Sequence, residues 1–152
     1  MTLPVLRTAV VAGLAFAAGL AVAHVQQPAG AAAAPLQPAV VDLTAMQPSD
    51  LPAPTPASPK LRSKLLAIAD GATVQLQIGT VLKHFHADAN EIQIVLAGSG
   101  TEWLGDKQVA LRPGIMLVIP AGTPHAGTVD PNLKILAIKT PPQAATDIHP
   151  VP

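Results

Sequence analysis

The sequence predicts an all-β domain, a sandwich or barrel of short strands, over residues 60–141. Three observations predict it. Short apolar runs recur from Lys60 onward. Turn-forming residues interrupt them at intervals of about 8–12 residues, the spacing of antiparallel strands. No helical period of useful length occurs in the same region.

The runs lie at 63–69, 72–78, 81–86, 91–97, 101–105, 108–112, 115–119, 125–129 and 133–139. The interruptions are Asp70-Gly71, Gly79, the stretch from Asp88 to Asn90, Gly98 to Gly100, Gly105-Asp106, Pro113-Gly114 and Asp130-Pro131-Asn132. Glycine reaches positive φ at little cost and Pro fixes its own, so these clusters mark where strands end. A unit of about 80 residues stands near the lower limit for a lone hydrophobic core, so support from a metal or a partner chain is expected.

Both ends read as non-globular. Residues 1–23 resemble a secretory signal: Arg7 is the only charge, Thr8 to Ala23 is apolar, and the run closes in Ala21-Val22-Ala23. Sixteen helical residues span about 24 Å at about 1.5 Å each, short of a bilayer core of about 30 Å. Cleavage after Ala23 would leave His24 as the mature N-terminus. The alternative is an uncleaved anchor, the one route to membrane association; either way the domain is expected outside the cytoplasm, periplasmic or secreted. Residues 24–59 hold eight prolines and nine alanines. Such a segment lacks the apolar bulk to offset ordering entropy and reads as a disordered tether. Residues 142–152 read as a flexible tail, with His149 idle in it.

Composition excludes several functions. Lys plus Arg equals Asp plus Glu, nine of each, so no net field draws in nucleic acid or anionic lipid. Phe85 and Trp103 are the only aromatics beyond the leader, too few for a base-stacking platform. The chain has no cysteine, which excludes disulfides, thiolate metal sites and cysteine nucleophiles. Neither a Ser/His/Asp set nor a phosphate loop is evident, and Gly98-Ser99-Gly100 reads as a hairpin turn. Any chemistry is therefore expected from a metal.

The run 81–86 ends in His84-Phe85-His86. Side chains alternate faces along a strand, so His84 and His86 share one face. After a short turn Glu91 opens the next run, where a returning strand would bring it beside the two imidazoles. Far along the chain, Pro120 to His125 supplies a third imidazole after a Pro/Gly turn. Taken singly, each residue has an ordinary reading as a polar surface or loop group. Together, three imidazoles and one carboxylate suit one divalent ion such as Fe, Mn, Ni, Cu or Zn. In octahedral geometry four protein ligands leave two positions open for a small-molecule ligand or substrate.

These segments resemble the paired motifs of the cupin superfamily. The first reads GTVLKHFHADANEIQIVLAG, with Gly79, His84, His86, Glu91 and Gly98; the second reads GIMLVIPAGTPH, with Gly114, Pro120, Gly122 and His125. Two positions depart from the pattern: Gly79 lies one residue nearer to His84, and Val129 stands where Asn is frequent. The short stretch between the motifs is similar to that of small bacterial single-domain cupins. The resemblance implies a jelly-roll-type β-barrel enclosing a metal held by His84, His86, Glu91 and His125.

If Glu91 faces inward, so do Gln93 and Val95, while Ile92, Ile94 and Leu96 form an outer apolar stripe. Gln93 is the expected polar substrate contact, and Trp103 is a further candidate to line or close the barrel. The stripe, partly covered by residues 60–69, suggests a homodimer. Two functions remain open: a metal-dependent enzyme of dioxygenase, isomerase or hydrolase type, or a non-catalytic module of the cell envelope that captures a small ligand or metal.

Overall fold

The structure, a computed structural model, describes residues 36–69, 71–128 and 132–151. The leader and the expected cleavage site at Ala23 and His24 lie outside these residues. Among them no helix is long and apolar enough to cross a membrane; the one helical element is a 3-10 turn at Pro48–Asp50.

Ten strands follow the punctuation of the sequence: β1 Leu61–Ala69, β2 Ala72–Gly79, β3 His84–Phe85, β4 Asn90–Ala97, β5 Gly100–Leu104, β6 Lys107–Leu111, β7 Met116–Ile119, β8 His125–Thr128, β9 Lys134–Thr140 and β10 His149–Pro150. They form two antiparallel five-stranded sheets, in the orders β1-β2-β9-β4-β7 and β10-β3-β8-β5-β6. The chain is an all-β barrel of two facing sheets, as predicted.

Alternation sets what lies between the sheets. On β4, Glu91, Gln93 and Val95 are buried, and Ile92 and Ile94 are half-buried on the other face. The apolar core joins Val95, Leu117, Ile119, Leu133 and Ile135 to Leu111 of the second sheet. The interior face of β4 thus changes from polar at Glu91 and Gln93 to apolar at Val95.

The glycine segment at 98–100 is not a hairpin turn. β4 pairs with β7 and β9, whereas β5 pairs with β6 and β8, so residues 98–100 carry the chain from one sheet to the other. Gly98 adopts φ +81°, and a Cβ there would stand 2.8 Å from Leu133 Cα. That close approach of two backbones at the corner admits no side chain.

Described residues of both flanks contact the barrel. Within the segment read as a tether, Met46 to Leu51 pack on the barrel. Leu51 is buried with Leu76 and Ile78 on the outer face of the first sheet, and Met46, Leu66 and Leu96 pack around them. Both this segment, through Met46 and Leu51, and residues 60–69, through Leu66, join the cluster that holds Leu96. Burial of a leucine side chain stabilises by about 1.5–3 kcal/mol. Cations fasten the strap: Lys134 Nζ donates to the carbonyls of Leu43, Thr44 and Met46, Arg62 to those of Leu51 and Pro52, and Lys64 to that of Asp50. The segment read as a tail also makes contacts. β10 pairs with β3, and Asp147 is buried against the residues after β3. Sequence pattern carries no sign of such a long-range contact, because two paired residues and one carboxylate leave no periodicity.

Candidate metal centre

His84 lies on β3 directly opposite His125, the first residue of β8. His86 follows one residue beyond β3. The three imidazoles are mutually close, with centroids 4.9 Å apart for His84 and His86, 4.4 Å for His84 and His125, and 5.3 Å for His86 and His125. Their ligand nitrogens all lie within 4.8 Å of one another. Two nitrogens on one ion at about 2.1 Å can be at most about 4.2 Å apart, so the trio needs only slight closure around an ion.

Glu91 reaches the same point from the facing sheet. It is not the hairpin partner of the His-x-His strand: β3 and β4 belong to different sheets, and Glu91 projects across the gap between them. Its Oε2 lies 3.1 Å from His86 Nε2 and 3.4 Å from His125 Nε2.

The backbone fixes the tautomers. The Nδ1 of His84 donates to Leu82 O at 2.7 Å, that of His125 to Thr123 O at 3.0 Å, and that of His86 to Asp147 O at 2.5 Å. A carbonyl only accepts, so each Nδ1 carries hydrogen, and each neutral ring is left with its Nε2 lone pair. Two of these lone pairs face one carboxylate oxygen. Lone pair against anion is repulsive, and a proton or a metal cation placed between them relieves it. His125 Nε2, fully buried, has no hydrogen-bond partner at all. Nδ1 hydrogen bonds of this kind are what fix the orientation of imidazoles that ligate a metal. The three histidines could hold a metal ion.

Without a cation the groups perturb one another. Burial, then the neighbouring His125, depresses His84 to about 4. Burial would raise Glu91, but the adjacent His125 and His86 imidazoles and the charge of Lys139 hold it far below the usual carboxylate range. Burial also opposes charge on His125, yet Glu91 beside it and the Thr123 carbonyl push it above 6.5.

The turn after His86 is held from the tail. The Asp147 carboxylate accepts from the backbone N–H of Ala87 at 2.6 Å, Asp88 at 3.3 Å and Ala89 at 3.1 Å. His149 is not idle: its ring stacks on Phe85 at 4.9 Å and lies 3.4 Å from Asp147.

Gln93 donates to Glu91 Oε1 at 3.1 Å and lines the cavity beside the cluster, as its place on β4 predicts. Trp103 does not line the barrel. It is 36% exposed, on the strand face opposite Glu102, with Lys83 5.9 Å from the ring centroid. Alternation along β5 turns Glu102 inward instead. Glu102 is 1% exposed, neither of its oxygens has a hydrogen-bond partner, and burial pushes it up to about 7. Lys139 is the other unexpected interior charge, with its Nζ 3.7 Å from Glu91 Oε2. The sequence held a signal for it, since Lys139 is in phase with Ile135 and Ala137 of the interior face.

Beside the imidazoles opens a cavity of about 170 Å³. Its walls include Leu61, Val81 and Ile148, and its polar groups include His84, Glu91, Gln93 and Lys139. It is smaller than the roughly 300 Å³ at which drug-sized ligand pockets begin, so it suits a small ligand.

Two facing antiparallel sheets with an inward histidine cluster define the cupin class of β-barrel. Residues 72–138 match the family described as Cupin domain, which together with the fold supports a cupin superfamily protein. Among curated proteins none matches the sequence significantly. Solved structures share the fold. KdgF from Halomonas sp. is 21% identical with a TM-score of 0.52, over 57% of this chain and 84% of that one. Streptomyces PAC13 with uridine is 15% identical with a TM-score of 0.54, over 61% and 79%; Pac13 is described as a nucleoside dehydratase. TT1209 from Thermus thermophilus is 18% identical with a TM-score of 0.52, over 64% and 96%.

Proposed function

We propose that this protein is an exported metal-binding cupin in which His84, His86, Glu91 and His125 together hold one divalent ion, and that it acts on or captures a small molecule beside that ion. The observation that carries the reading is the set of three Nδ1 hydrogen bonds, which leave the Nε2 lone pairs of three clustered imidazoles free, two of them beside the Glu91 carboxylate. Glu91 would cancel one of the ion's two charges. Fe, Mn, Ni, Cu and Zn all suit such a donor set. The bound ion would supply Lewis acidity. Gln93 would orient Glu91 and meet the ligand, and the apolar walls would limit water.

An enzyme fits this arrangement better than a storage module, because the cavity adjoins the cluster. The Streptomyces relative shows that this fold takes a small organic ligand, uridine. Nothing points to nucleic acid as partner. Export rests on the Arg7, apolar run and Ala-Val-Ala pattern. Assembly as a homodimer rests on the outer face of the first sheet, where Ile92 and Ile94 lie opposite Val118 and Met116. Val118 and Met116 are 56% and 60% exposed.

The test is metal analysis of the native protein, then oxygen-uptake and turnover screening over a substrate panel. Turnover that requires the metal supports the enzyme. Metal without turnover over a wide panel supports the envelope module. Mass spectrometry of the same sample should find His24 first; a species retaining Met1 contradicts cleavage.

A further inference from the structure

Lys139 is the unusual group of the cavity. The residue is 6% exposed, on the interior face of β9, where register sets it directly beside Glu91. Among the described residues Glu91 is its only carboxylate within ion-pair distance. Its other polar partner is the neutral side-chain oxygen of Gln143. A buried ammonium is costly unless a counter-charge offsets it. Once Glu91 is committed to a divalent ion, the ion and Lys139 together leave two positive charges in excess of that one carboxylate. Neither Glu102 nor Asp147, the other buried carboxyls among the described residues, lines the cavity beside the imidazoles. The cavity that both Lys139 and Glu91 line therefore lacks an anion.

Resting on the metal reading above, we propose that Lys139 anchors the carboxylate of a small ligand that binds between the ammonium and the ion. The ligand class is thus a small carboxylic acid rather than a neutral molecule. A single compact ammonium matches one singly charged group. The cavity of about 170 Å³ limits the ligand to a few non-hydrogen atoms. The Gln93 amide is placed to hydrogen-bond a second polar atom of such a ligand. Apolar residues at the mouth, Leu82, Ile148 and Pro150, keep the pair poorly hydrated, which strengthens it.

Calorimetric titration of the full chain with malonate, malonamide and inorganic phosphate tests this, after metal content has been read. The unmutated protein should bind malonate and ignore malonamide. Lys139→Met, similar in length but uncharged, should keep its metal and lose malonate affinity about tenfold or more, the scale of a charged hydrogen bond. NMR of the unmutated protein gives a reading independent of any variant: the Lys139 side-chain resonances should move with malonate and stay with malonamide. Equal binding of malonamide, phosphate bound more tightly than malonate, malonate affinity within about twofold in Lys139→Met, or unmoved Lys139 resonances would each overturn the proposal. Wild-type protein that takes up no metal would sink the metal reading, whereas metal-loaded protein that ignores malonate would sink the anchor alone.

Discussion

His86 Nδ1 donates to the backbone carbonyl of Asp147, a residue 61 positions further along the chain, at 2.5 Å. The same residue's carboxylate collects the N–H groups of the turn that follows His86. The C-terminal segment is therefore part of the centre: it fixes one imidazole's tautomer and the backbone that carries it. Outer-shell partners of this kind are worth about 10–100-fold in metal affinity.

A chain truncated after Pro142 should accordingly bind metal about 10–100-fold more weakly while keeping both sheets. Asp147→Ala should lose a smaller share, since its carbonyl remains. Metal-competition titration reads the affinities, and hydrogen exchange at Ala87 and Ala89 should speed up in both variants. Unchanged affinity in the truncated chain would mean that the tail only covers the site.

Glu102 makes a prediction for the metal-free protein. Its folded pKa is raised from 4.5 to about 7 by burial. Between those values the folded state holds a proton that the unfolded state has lost. The contribution to stability is thus fully present below about pH 4.5 and is lost as pH rises through about 7. It amounts to a few kcal/mol at most, at about 1.4 kcal/mol per pKa unit. With chelator present, Glu102→Gln should flatten the decline in melting temperature between about pH 5 and pH 8, and it should melt higher than wild type at the upper end. A variant whose pH dependence parallels wild type would show that Glu102 is solvated.

The outer face of the first sheet predicts assembly. The N-terminal strap covers Leu76, Ile78 and Leu96, but not Met116 and Val118, which stand exposed opposite Ile94 and Ile92. The protein should be a homodimer at micromolar concentration by light scattering. Ile94→Lys should make it monomeric, because an ammonium on that face would be desolvated at high cost. A monomeric wild type would contradict this.

Much of this was legible in the sequence where alternation governs. The strand positions, the shared face of His84 and His86, and the inward set of Glu91, Gln93 and Val95 all follow from a period of two. Alternation also holds Glu102 inward and Trp103 outward, but the phase of β5 cannot be fixed until a neighbouring strand is known. The His-x-His and Glu motifs were legible as a set, whereas the route of their convergence was not. They meet across facing sheets, and a hairpin reading of the turn at 87–90 leads to the wrong pairing. The strap at Met46 to Leu51 and the tail at Asp147 act through single buried side chains and backbone carbonyls. Neither leaves a local signature.

The central claim is that His84, His86, Glu91 and His125 hold one divalent ion, and elemental analysis of the purified chain tests it most directly. Wild type should carry one divalent transition-metal ion per chain. Alanine at His84, His86 or His125 should lower that content strongly, and Glu91→Gln should weaken retention by removing the compensating charge. Wild-type metal should also be lost in mild acid, as protons compete for imidazoles whose reference pKa is about 6.5. A wild-type chain that takes up no ion on reconstitution, or a His86→Ala chain with unchanged stoichiometry, would contradict the account.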